Sequence, residues 1–148
     1  MREAGRIVQC VEQPANLTAE QISTAVATLS ESQILNHKTR AAHAAGFFEP
    51  VGKTMTVRED VGRHNALDKL AGALATEGAS GRAGAVILTS RISVEMVQKT
   101  AAIGAGVVVA MSAPTALAVR TAEASGITLV GIARGDEFEI FRPSGEGV

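Results

Sequence analysis

Apolar residues recur along this chain in two rhythms. In "LTAEQISTAVATLSESQILNHKT", residues 17–39, Ile22, Val26, Leu29 and Leu35 fall near helical spacing. Thr18 is the N-cap expected for this helix, with Gln21 three positions on as its capping-box partner. "RAAHAAGFF" predicts a short strand, "EPVGK" a turn and "TMTVR" a second strand with β-branched alternation. From there the pattern is regular. "VGRHNALDKLAGALAT" predicts a helix, "GASGRAG" a loop and "AVILTS" a buried strand. "VEMVQKTAAIG" predicts a helix stopping at Gly104, and "GVVVAMS" another buried strand. "PTALAVRTAEAS" predicts a helix with Pro114 in its first turn and Gly126 just past its end. "ITLVGIA", the turn "RGDE" and "FEIF" close the chain as an antiparallel edge hairpin.

Alternation of this kind predicts one α/β domain over residues 17–148, a three-layer sandwich with a mostly parallel or mixed sheet between helices. Strands are expected near 53–58, 85–89, 106–111 and 127–132. Residues 1–16 lack periodicity and read as a tail or linker.

Composition narrows the function. Fourteen Lys and Arg against fifteen Asp and Glu give a net charge of −1, which is no footprint for bulk nucleic-acid or anionic-membrane binding. Four Phe with no Trp or Tyr offer no stacking platform for single strands. "MREAGRIVQC" has no signal-peptide hydrophobic region, and the apolar run "GAGVVVAM" is too short to span a bilayer. A single Cys leaves no internal disulfide and no cysteine zinc cluster. A cytoplasmic protein is expected.

In an open α/β sheet, ligands bind beyond the carboxyl ends of the strands. The junctions there are "REDVGRHN", "TSRIS" and "MSAPT". Parallel strands would place all three on one edge, with helix N-termini aimed at an anion. Arg63 and Arg91 would add guanidinium forks, so the implied ligand is phosphorylated. Asp60 reads as an N-cap. Leu67, Leu70, Ala71 and Leu74 form an apolar stripe, with His64, Asn65, Asp68 and Lys69 opposite. Asp68 and Lys69 are either solvated or part of the site. Arg63 falls on the apolar side of the first turn, where a solvated Arg would be misplaced. Gly62 and Gly72 suggest close approach of the backbone to something.

Other polar residues have competing readings. His43 is a core histidine or a functional one. Ser90 is a candidate nucleophile, whereas capping accounts for Ser93. Ser112 and Thr115 read most simply as caps of the helix begun by Pro114. No G-x-S-x-G, P-loop or deaminase zinc signature is present, and Cys10 lies in the linker as a structural or incidental thiol.

"HAAGFF", "REDVGRHNALDKL", "SRISVEMVQKTAAIGAGVVVAMSAPTALAV" and "GITLVGIARGDEFEIF" together resemble the formate dehydrogenase accessory sulfurtransferase family, FdhD, in order from about residue 34 to 141. The resemblance implies a cytidine deaminase-like fold without its zinc site. It implies a role in maturing molybdenum or tungsten formate dehydrogenases. Such proteins take persulfide sulfur from a cysteine desulfurase and pass it to the molybdenum cofactor, Mo-bis(molybdopterin guanine dinucleotide). The guanine nucleotide would bind this domain, with GDP as a surrogate.

The family's segment G-F-x-R stands here as "GIARGDE", with Ile132 where Phe is usual and Arg134 kept. The implied cofactor contacts are Ile132, Ala133, Arg134, Gly135, Asp136 and Glu137, joined by Arg63, Arg91 and Ser112. The family's persulfide-bearing Cys-x-x-Cys has no counterpart, since Cys10 lacks a partner, and no catalytic residue is assigned. The chain is therefore expected to be the cofactor-binding half of the family, a truncated homologue or an isolated domain. Formate dehydrogenase, a cysteine desulfurase and a second copy of the chain are the expected partners. The rival readings are a deaminase-fold hydrolase and an interaction or dimerisation module without sulfurtransferase activity.

Overall fold

The computed structural model describes residues 17–31, 42–51, 54–111, 114–134 and 137–142. Within these, the order is α1 (Ala19–Glu31), β1 (His43–Glu49), β2 (Thr54–Asp60), α2 (Arg63–Glu77), a 3-10 turn (Gly81–Ala83), β3 (Ala85–Leu88), α3 (Val94–Ile103), β4 (Val107–Ala110), α4 (Ala116–Ser125), β5 (Thr128–Arg134) and β6 (Glu137–Phe141). The expected elements are present. The tail at 1–16 and the expected continuation of the first helix beyond Glu31 lie outside the described residues.

One six-stranded sheet runs β2-β1-β3-β4-β5-β6. It is mixed rather than mostly parallel: only the β3–β4 and β4–β5 pairings are parallel. β1 and β2 pair antiparallel across the Pro50–Val51 turn, and β1 then pairs antiparallel with β3 as well. Reversing twice restores direction, so β2 runs the same way as β3, β4 and β5. The edge hairpin β5–β6 is antiparallel as expected.

From β2 to β5 the chain moves across the sheet in one direction. Right-handed crossovers then put every connecting helix on the same face. Packing agrees. Ala66, Leu67, Leu70 and Leu74 of α2, Met96 and Val97 of α3, and Ala118 and Ala122 of α4 share a core with Phe47, Val86, Leu88, Val108 and Leu129. The opposite face carries Phe48, Ile87, Val109, Val130 and Ile132 against Ile22, Ala25 and Leu29 of α1. β3 and β4 are buried along their whole length, which explains their unbroken Val/Ile/Leu runs. Each such side chain contributes about 1.5–3 kcal/mol through burial.

Local chemistry sets the helix ends. Thr18 N–H donates to Gln21 Oε1 at 2.9 Å and Gln21 N–H to Thr18 Oγ1 at 3.1 Å, the reciprocal box read from the sequence. Gly104 and Gly126 adopt φ of 93° and 76° at the ends of α3 and α4, a conformation costly for other residues. The edge strand β2 is guarded by cations. Arg58 donates to the Val57 carbonyl at 2.7 Å and Lys69 to the Glu59 carbonyl at 3.0 Å, two acceptors on the same side of the strand. Cationic side chains on an edge discourage pairing with a foreign strand.

Candidate functional site at the carboxyl edge of the sheet

Because β2, β3, β4 and β5 run the same way, their last residues, Asp60, Leu88, Ala110 and Arg134, lie along one edge of the sheet. β1 and β6 begin there, at His43 and Glu137. The three polar junctions therefore do share an edge. The register ties the first two together. His43 stands opposite Asp60, while Ala44 N–H donates to Thr89 Oγ1 at 3.0 Å and Thr89 N–H to the Ala44 carbonyl at 3.2 Å. His43 is half-buried at this edge, between the first two junctions, rather than sealed in the core.

The first junction differs from its expected form. Asp60 is the last residue of β2, and α2 starts three residues later with Gly62 as an N-cap that has no side-chain hydrogen bond. Asp60 instead forms an Asx-type contact: its Oδ1 accepts from Gly62 N–H at 3.0 Å. Its Oδ2 lies 2.9 Å from Lys69 Nζ. Hydrogen bonding from the Gly62 amide, then from the Lys69 ammonium, lowers the Asp60 carboxyl to about 2. Lys69 is thus an anchor between helix and strand end, whereas Asp68 is a surface residue paired with Lys99 at 2.7 Å. Exposed pairs of the second kind contribute about 0–1 kcal/mol.

Arg63 is exposed, contrary to the expectation that it lies along the apolar side. The buried stripe begins at Ala66, and Ala71 is only half-buried. The first turn of α2 starts beyond the end of β2, so a residue in phase with the stripe there meets solvent. Gly72 is exposed too, and a Cβ there would have open space. Among the described residues no heavy atom outside its own helix backbone lies within 4 Å of that Cβ position.

At the second junction Ser90 is buried, 7% exposed, and its hydroxyl donates to the Arg91 carbonyl at 3.0 Å. Its proton is held by a backbone acceptor rather than by a base, which is not the geometry of an activated nucleophile. Arg91 is exposed. Ser93 caps α3 as expected, accepting from Met96 N–H at 3.3 Å. Glu95, in the first turn of α3, is held below the usual carboxylate range by its own backbone N–H, then by the Ser93 hydroxyl, with the charges of His64 and Arg63 adding to this. Sequence reasoning missed Glu95; the available signal was a carboxylate just after a Ser cap, where a helix favours negative charge.

At the third junction Thr115 caps α4, accepting from Ala118 N–H at 3.1 Å. Ser112 lies outside the described residues. In the hairpin, Ile132 is 8% exposed, opposite Phe138, and packs into the α1-face core. Arg134 pairs with Glu137 across a register shift. Gly135 and Asp136 lie outside the described residues, as do the side chains of Ala133, Arg134 and Glu137, and Cys10. Among the described residues, no cluster of three or more His, Cys, Asp or Glu could hold a metal, and no helix is long and apolar enough to cross a membrane.

An open mixed sheet with its polar strand-to-helix junctions gathered on one edge defines the class: an α/β domain with a mixed-charge edge site. The family model of the FdhD/NarQ family matches residues 2–146, and the chain belongs to that family. It is 56% identical over 127 residues to the sulfur carrier protein FdhD of Agrobacterium fabrum, covering 86% of this chain and 47% of that protein. It is 52% identical over 134 residues to the sulfur carrier protein FdhD of Cupriavidus necator, covering 90% of this chain and 46% of that protein. The chain thus spans about half the length of these relatives. Among solved structures, a protein from Desulfotalea psychrophila, proposed as a formate dehydrogenase accessory protein, aligns with TM-score 0.79 at 30% identity. That alignment covers 93% of this chain and 59% of the other.

Proposed function

We propose that this chain is the nucleotide-binding part of an FdhD-type sulfur carrier serving formate dehydrogenase. Its ligand is the guanine nucleotide end of Mo-bis(molybdopterin guanine dinucleotide), and the sulfur comes from a cysteine desulfurase. The observation that carries the reading is the convergence of the ends of β2, β3, β4 and β5 and the start of β6 on one sheet edge. Two exposed arginines support the reading. Arg63 and Arg91 are exposed there for phosphates. Both oxygens of Asp60 are engaged, so a guanine acceptor falls to another carboxylate. Asp136 or Glu137 takes the guanine N1 and N2 donors in this reading, and Arg134 takes a phosphate.

The cofactor's molybdenum centre supplies the sulfur acceptor when bound; this chain's residues bind and orient the nucleotide. Cys10 receives no persulfide role. The protein works in the cytoplasm, as a homodimer. The test is isothermal titration of GDP and ADP. GDP should bind more tightly, because a site built for one base edge leaves buried polar groups unpaired with the other. Arg134→Ala should weaken GDP binding by about 1–3 kcal/mol. Equal affinity for the two nucleotides overturns the guanine assignment, and binding of neither leaves the interaction-module reading in its place.

A further inference from the structure

We infer that Lys69 is a positioning residue of the edge site, acting through Asp60 and Gly62 on Arg63. The inference rests on the proposal that Arg63 meets the nucleotide's phosphates. Lys69 lies nearly two helical turns along α2 from Arg63. Its ammonium reaches back to the strand end, 2.9 Å from Asp60 Oδ2, and donates to the Glu59 carbonyl at 3.0 Å. Asp60 Oδ1 in turn accepts from Gly62 N–H at 3.0 Å. Three elements are thereby tied through one carboxylate: the end of β2, the turn that follows, and the body of α2. Gly62 is the N-cap and Arg63 the first residue of the helix. The carboxylate therefore sets the direction in which the helix leaves the strand, and with it where the Arg63 guanidinium starts.

Magnitude separates this role from a stabilising one. The Lys69 side chain is 53% exposed and that of Asp60 20%. An ion pair so open to water adds little to global stability. Its effect is local, on the population of turn conformations that Val61 and Gly62 sample. The edge holds charges of both signs, and the positive charges of His64 and Arg63 help to hold the Glu95 carboxyl below its usual range. A turn free to wander would let Arg63 settle against that carboxylate instead of a phosphate.

The experiment uses the full chain. In the ligand-free protein, amide hydrogen exchange at Gly62 is compared in wild type, Lys69→Met, Lys69→Arg and Asp60→Asn. The expected result is exchange faster by about tenfold in Lys69→Met and in Asp60→Asn, near wild type in Lys69→Arg, with little change in melting temperature. GDP and guanosine are then titrated into each variant. Lys69→Met should weaken GDP by about tenfold and leave guanosine unchanged, because only the phosphates need Arg63 placed. Lys69→Arg should recover most of the affinity. Unchanged Gly62 exchange in Lys69→Met, or its failure to fold, overturns the inference. So does equal weakening of GDP and guanosine. If GDP fails to bind wild type, the proposed nucleotide site fails, and with it the coupling to Arg63; the exchange result then decides the clamp alone.

Discussion

Two glycines that look alike in the sequence should respond oppositely to one added methyl group. Gly84 precedes β3 with φ −158° and ψ −161°, extended backbone open to any residue, so strain is not the issue. Space is. A Cβ at Gly84 would lie 2.1 Å from the Phe48 carbonyl oxygen, 2.9 Å from its carbon and 3.1 Å from the Phe47 ring. Carbon–oxygen contacts in sheets run at about 3.3–3.6 Å, so β1 and β3 would have to part by about 1 Å beside the Phe48–Ala85 pair. Neither obstacle is the far end of a flexible side chain, and Phe47 and Phe48 pack on opposite faces of the sheet.

Overpacking typically costs about 1–3 kcal/mol; backbone obstruction puts Gly84→Ala at the upper end, about 3 kcal/mol. Gly72→Ala, in open space in a helix interior, should instead stabilise by about 0.5–1 kcal/mol. Urea unfolding of the two variants and wild type gives both numbers, provided the slopes agree. A Gly84→Ala protein as stable as wild type would falsify the close approach of β1 and β3.

Further outcomes follow from the same contacts. Asp60 has its folded-state value lowered to about 2, so its contribution is present at neutral pH and is lost as the pH falls from about 4 to about 2. Because the pair is open to water the effect on global stability is small: Asp60→Asn should unfold at slightly lower urea than wild type at neutral pH, with little change in melting temperature, and the difference should vanish over that window; a difference that persists at pH 2 contradicts the assignment. Ser93→Ala removes the α3 cap and one partner of Glu95, and should cost about 1 kcal/mol in thermal or chemical unfolding. Cys10→Ser should leave unfolding and GDP titration unchanged, and a large loss of affinity would mean the edge is not the site.

Features set by near neighbours in the chain were legible in advance. The Thr18–Gln21 box and the Ser93 and Thr115 caps need only residues within a turn of themselves. The convergence of the junctions was legible because strand direction and crossover handedness leave few alternatives. Features that depend on where one element ends against another were not. The direction of β1 is set by its pairing with β3, about forty residues away in sequence, so the alternation left a mostly parallel or a mixed sheet open and the pairing makes it mixed. Arg63 has the phase of a buried residue, yet its turn starts beyond the end of β2. Lys69 sits on a face that periodicity marks as solvated, and only its reach back to Asp60 distinguishes it from Asp68. Asp60 and Glu95 both stand near the head of a helix, and only the structure separates a strand-end brace from a first-turn acid.

Whether the carboxyl edge of the sheet holds a guanine nucleotide is read from the map of amide chemical-shift changes when GDP is titrated into the isotopically labelled chain. A nucleotide at this edge shifts amides at 60–65, 90–95, 111–115 and 132–137, the ends of β2, β3, β4 and β5. A different groove of about 500 Å³ lies at the opposite edge, lined by Gln21, Thr24, Phe48, Pro50 and Met55 among others. Changes concentrated there, or no saturable changes at all, would mean that the carboxyl edge is not a nucleotide site.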